Sequence, residues 1–168
     1  IRALTEGAIL VALAFVLSFV KLYQLPNGGS LTPAMFPILL YGLRWGLGRG
    51  LGAGFIFGLL QMIFDGAYAW GWQSMILDYL LAFTVLGLGG VFRNKVASQG
   101  KALVLGALFT GFLRYTCHVI GGCTVWAGLS IPTEAALLYS LAYNATYMIP
   151  DTIVAMLGAW YLSRAVDL

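Results

Sequence analysis

Charge is what this chain has least of: nine basic and six acidic residues among 168, or 9%, where a soluble domain carries roughly 25%. So few charges cannot solvate the surface of a globular domain of this length, and they sit between long apolar runs rather than along helix faces. A soluble fold is therefore excluded. No cluster of Lys and Arg offers a phosphate-binding surface, which excludes nucleic acid as a partner. There is a single histidine, His118, too few for a zinc site without other ligands at suitable spacing, so no metal is expected. Cys117 and Cys123 are the only cysteines; six apart on one predicted helix, they point in different directions and lie too far apart to bridge. The sequence also lacks HExxH, GxSxG and any phosphate-binding loop, which argues against an enzyme and against ATP hydrolysis by this chain. Uphill transport would draw its energy from another subunit.

What is present is apolar length. Hydrophobic residues make up 61% of the chain, and a spanning helix needs about 20 of them in a row. Six candidate segments follow: Ala3 to Lys21, Pro33 to Arg44, Gly48 to Phe64, Trp72 to Val91, Ala102 to Val125 and Thr133 to Leu162. The second is the weakest, since Pro33 and Pro37 must sit near a helix start or kink it. The period-two alternation of membrane barrels is absent. The expected fold is an all-α integral membrane protein, one six-helix transmembrane domain over residues 1–168 in a lipid bilayer. The run Ala8 to Val20 follows Glu6 and precedes no cleavage site, so it reads as a retained helix. Arg2, Arg44, Arg49, Arg93, Lys95, Lys101 and Arg164 fall on the side of the termini, against Lys21 opposite. Both termini are then expected in the cytoplasm.

That orientation gathers the polar residues. Arg114, His118, Gly122 and Trp126 recur every four residues, close to one helical turn, and so share a face. An ionisable group in hydrocarbon is expensive and marks a functional site. Asp78 on the fourth segment and Tyr139 and Asn144 on the sixth fall at matching depths in the outer half, with Tyr68 and Tyr79 nearby. Asp78 and Arg114 are expected to neutralise each other across the bundle, the competing reading being a purely structural pair. Asp151, after Pro150, is expected to satisfy backbone groups freed by a kink. The turn-rich segment Leu22 to Thr32 reads either as a lid over the site or as a plain surface loop. Gly50, Gly54 and Gly58 form GxxxG steps expected to pack within the bundle; Ala8 and Ala12 form a small-residue step that either packs internally or docks a partner. A carboxylate among electron-rich rings suits a flat, cationic heteroaromatic ligand, and thiamine meets both conditions.

The chain resembles the thiamine-binding S-component family of energy-coupling factor (ECF) vitamin transporters. The resemblance rests on Leu4-Thr-Glu-Gly-Ala-Ile-Leu-Val-Ala-Leu-Ala14, Leu43-Arg-Trp-Gly-Leu47, Asp78-Tyr-Leu80, Arg114-Tyr-Thr-Cys-His118 with Gly122 and Trp126, and Tyr139-Ser-Leu-Ala-Tyr-Asn144. It implies the six-helix S-component bundle in a bacterial cell membrane, with thiamine as transported ligand and no cofactor. Tyr68, Asp78, Tyr79, Arg114, His118, Gly122, Trp126, Tyr139 and Asn144 match the family's binding positions. By the same resemblance Trp126 and His118 stack on the ligand rings, and Tyr139 and Asn144 hydrogen-bond its pyrimidine. Ala8 and Ala12 match the face presented to a membrane-embedded coupling subunit, which is joined to two ATPases. The chain departs from the family in having Asp78 for Glu and Arg114 for Lys, which keeps charge but changes reach. An S-component for another flat vitamin or a thiamine precursor, and a self-sufficient transporter, are the alternative readings.

Overall fold

Long apolar runs with no strand periodicity fold as helices, because in a bilayer each backbone amide must be paired within its own segment. The computed structural model describes residues 1–26, 28–65, 69–128 and 131–165. It contains helices α1 (Arg2–Ser18), α2 (Met35–Trp45), α3 (Leu47–Asp65), α4 (Trp72–Phe92), α5 (Gln99–Trp126) and α6 (Glu134–Ala165). Of these, α3, α4 and α5 are long and apolar enough to cross a membrane. With 11 residues, α2 is only about 16 Å long. It buries Met35, Ile38, Leu39 and Leu43 as a central core element. Pro37 sits in its first turn, where the missing N–H has no intrahelical acceptor to lose.

A single residue, Gly46, joins α2 to α3 with φ +90°, a conformation that glycine adopts without a Cβ penalty. The two helices then meet backbone to backbone: a Cβ at Gly50 would lie 2.7 Å from Gly42 Cα. The same face of α3 runs on along α4, where a Cβ at Gly54 would meet the Phe83 carbonyl at 2.5 Å and one at Gly58 the Tyr79 carbonyl at 2.8 Å. The GxxxG steps therefore serve packing within the bundle, as their spacing suggested.

Two helices depart from regular α geometry. Helix α4 is a π-helix over Met75–Leu81 and a 3-10 helix over Val85–Phe92. Helix α5 ends as a π-helix over Gly122–Trp126. Helix α1 is pinned to α2 by the Glu6–Arg44 ion pair at 2.8 Å and by Tyr41, whose hydroxyl donates to the Ala3 carbonyl at 2.9 Å. This leaves Ala8 and Ala12 exposed beside Ile9, Leu13 and Val16.

The segment expected as a loop from Leu22 to Thr32 contains a short hairpin. Strand β1 (Tyr23–Gln24) pairs antiparallel with β2 (Ser30–Leu31), Tyr23 opposite Leu31 and Gln24 opposite Ser30. Gly29 lies against the Tyr147 ring on α6, where a Cβ would come within 2.7 Å of ring carbons. Just past β2, the Thr32 N–H donates to Asp151 Oδ1 at 3.0 Å. The hairpin is thus fastened down on the helices at its tip and at its base.

Candidate functional site

Beneath the hairpin lies a cavity of about 250 Å³. Gly28, Gly29 and Ser30 form part of its lining, α3 and α4 contribute Phe57, Gln61, Asp78 and Tyr79, and α5 and α6 complete it. Of the residues singled out in sequence, Asp78, Tyr79, Arg114, His118, Gly122, Trp126, Tyr139 and Asn144 all border this one space. Tyr68 lies outside the described residues.

Asp78 is the hub. Its Oδ2 accepts from Ser74 Oγ at 2.7 Å and from Trp126 Nε1 at 3.0 Å, and its Oδ1 lies 3.0 Å from His118 Nδ1. A carboxylate accepting from all three places the imidazole proton on Nδ1. Nε2 is then left buried, with no hydrogen-bond partner among the described residues. The two π-helical stretches carry Asp78 and Trp126 themselves, and such local widening re-aims side chains and recurs at functional sites. Gly121 makes room for the hub, since a Cβ there would lie 2.8 Å from Asp78 Oδ1.

The expected pairing of Asp78 with Arg114 is not what forms. Arg114 Nη1 donates instead to Asp151 Oδ2 on α6 at 2.7 Å, with both residues buried and the guanidinium 4.5 Å from the Phe83 ring centroid. The reason is reach and competition: the long guanidinium extends across to α6, while His118 and Trp126 occupy the Asp78 oxygens. Asp151 is also not a cap for the Pro150 kink, because its two oxygens take Arg114 and the Thr32 amide. Arg114 is paired with Asp151 and Lys21 with Asp65 at 3.5 Å, so neither of those cations is spent on the Asp78 carboxylate. The cavity is biased toward positive charge.

Rings and amides supply the remaining walls. Tyr139, Tyr143 and Tyr147 recur at one-turn intervals on α6, with the first two stacked at 5.9 Å between centroids. Trp126 stacks on Trp70 at 5.8 Å. Asn144 Nδ2 donates to Ser140 O at 2.9 Å, Ser140 Oγ at 3.1 Å and His118 O at 3.3 Å, while its Oδ1 accepts from Tyr147 at 2.7 Å. Gly122 has a packing duty besides bordering the cavity: a Cβ there would collide with Ser140 Oγ. Tyr79 donates to the Asp65 carbonyl at 2.9 Å. Sequence reasoning missed Gln61, Tyr143, Tyr147 and the role of Asp151. The tyrosines carried a signal, the four-residue period continuing from Tyr139.

Helical bundle, apolar spans and a cavity lined by aromatic rings with the carboxylates of Asp65 and Asp78 together define a membrane protein that holds a small molecule. The chain matches the thiamine transporter protein family (Thia_YuaJ) over residues 4–167, and it belongs to that family. It is 36% identical over 162 residues to the thiamine transporter ThiT of Bacillus subtilis, spanning 90% of this chain and 84% of that one. It is 28% identical to ThiT of Lacticaseibacillus paracasei, over 90% and 81% of the two chains. The structure superposes on ThiT from Listeria monocytogenes with a TM-score of 0.82 at 27% identity, covering 98% of this chain and 94% of that one. The S component of a bacterial ECF transporter shares the fold, with a TM-score of 0.68 at 20% identity over 98% and 94% of the chains. The family is one of transporters rather than enzymes.

Proposed function

We propose that this chain is the thiamine-capturing subunit of an ECF-type importer in the bacterial cell membrane. The observation that carries the reading is the Asp78 hub. A carboxylate fixed by Ser74, His118 and Trp126 at the wall of an aromatic-lined cavity suits a flat ligand with a permanent positive charge. The thiazolium supplies that charge. The aminopyrimidine supplies a donor for the remaining lone pair of Asn144 Oδ1, and Tyr139 and Tyr79 border the same space. Tyr68 joins this binding set by family resemblance.

In this reading the six helices cross the bilayer with both termini in the cytoplasm, and the hairpin closes the outer mouth of the cavity. The exposed Ala8 and Ala12 face receives the coupling subunit, through which two ATPases drive release inward. Thiamine is cargo, and the subunit needs no cofactor of its own. Titrating purified protein with thiamine while following tryptophan fluorescence tests the assignment, because Trp126 borders the cavity. Saturable quenching by thiamine, without a response to riboflavin or biotin, is the expected result. Quenching by another vitamin but not by thiamine would overturn the specificity and leave the architecture standing.

A further inference from the structure

Helix α3 buries Gly50, Ala53, Gly54, Phe57 and Gly58, and one polar residue among them, Gln61. Its side chain is 6% exposed and borders the cavity, between Phe57 one turn before and Asp65 one turn after. Its Nε2 has no hydrogen-bond partner among the described residues. Burying an unpartnered amide donor costs about 1–3 kcal/mol, and on a buried helix face otherwise built of glycine and apolar residues an aliphatic side chain would avoid that cost.

No acceptor among the described residues stands within hydrogen-bond reach of that nitrogen. Phe57 and Phe83 are packed edge to face at 4.8 Å. The carboxylates and amide oxygen that border the cavity accept from other groups: Asp65 Oδ1 faces Lys21, Asp78 holds its three partners, and Asn144 Oδ1 accepts from Tyr147. Gln61 also comes from a different wall: α3 packs on α1, α2 and α4, whereas His118, Trp126 and Asn144 are carried by α5 and α6. A donor on that wall reaches a part of the ligand that the Asp78 hub does not hold.

We propose that Gln61 is a specificity-determining contact, its carboxamide nitrogen donating to a neutral acceptor on the ligand, a ring nitrogen or a hydroxyl oxygen. The identity of the ligand rests on the thiamine reading. Thiamine offers both kinds of acceptor, in its pyrimidine ring and its hydroxyethyl group. The hub then selects for positive charge, while Gln61 selects among cationic rings for those with an acceptor in the right place.

The decisive variant is Gln61→Met, which keeps length and removes hydrogen bonding. Without ligand it should melt at the same temperature as wild type or higher, since an unpaired buried donor has been removed. With thiamine its affinity should fall by about 3- to 10-fold. Two analogues locate the acceptor, one with the hydroxyl replaced by hydrogen and one with a pyrimidine nitrogen replaced by C–H. For whichever lacks the Gln61 partner, wild type and variant should bind alike. A variant that binds thiamine as tightly as wild type overturns the proposal. So does one that melts lower without ligand and loses thiamine and both analogues by the same factor, which marks a packing role. If wild-type protein fails to bind thiamine, the ligand assignment falls by itself. The ligand-free melting comparison then still decides the matter, a lower melting temperature in the variant refuting a donor held unpaired for a ligand.

Discussion

The first and second halves of α4 do opposite things with one continuous backbone. Over Met75–Leu81 the helix widens into π-turns and presents Asp78 and Tyr79 to the cavity. Over Val85–Phe92 it tightens into 3-10 turns, and its glycines meet other backbones: Gly87 lies on Gly50 and Leu51, and Gly90 on the Gly42 carbonyl. Where the helix must display charge it adds a residue to the turn, and where it must approach its neighbours it sheds side chains. The loose end is stabilised by polar pairing and the tight end by close contact, so each should fail to a different kind of substitution.

The largest effect is expected outside α4, from Asp151→Leu on α6, which removes the partner of the Arg114 side chain that borders the same cavity as Asp78. It strands the buried Arg114 guanidinium and releases the Thr32 amide, and breaking a buried pair from one side costs about 3–5 kcal/mol. Thermal unfolding in detergent should show a large drop in melting temperature; an unchanged value would mean the pair contributes nothing to holding α5 against α6. Next, Asp78→Ala should weaken thiamine binding by at least about 100-fold, as expected when one partner of a buried charged contact is truncated. Isothermal titration calorimetry measures this, and Trp126→Ala should follow in the same direction. Retained affinity in either variant removes that residue from the binding set. The smallest effect is expected at the tight end, where Gly87→Ala forces a methyl into the Gly50 backbone. A destabilisation of about 1–3 kcal/mol, with thiamine affinity unchanged in the folded fraction, would confirm that the halves are separable. Loss of affinity at the same protein stability would show that they are coupled.

Helix placement was legible because the apolar runs are long and the charges few; the six expected segments differ from the observed helices by a few residues at most ends. The wall carrying Arg114, His118, Gly122 and Trp126 was legible from its four-residue period. That period also hid something. A constant spacing assumes a regular helix, and the π-turns at Met75–Leu81 and Gly122–Trp126 have no signature in composition or periodicity. The ion-pair partners were misassigned for a related reason. Both Asp78 and Asp151 offer charge to Arg114, and only side-chain reach in three dimensions, together with the competing donors His118 and Trp126, decides between them. The strand pairing of residues 22–32 was hidden as well, since two residue pairs between turns leave no alternation to detect.

The stacked Trp70 and Trp126 make the site its own optical reporter. Of the five tryptophans, Trp45 lies near Arg49 and Trp160 near Arg164, so their environments belong to other parts of the bundle. Two indoles 5.8 Å apart with planes tilted by 29° couple their electronic transitions and give a paired signal in near-ultraviolet circular dichroism. A ring sliding against Trp126 alters that coupling directly, so occupancy of the cavity becomes visible in the unlabelled protein as a change in chirality rather than in intensity alone.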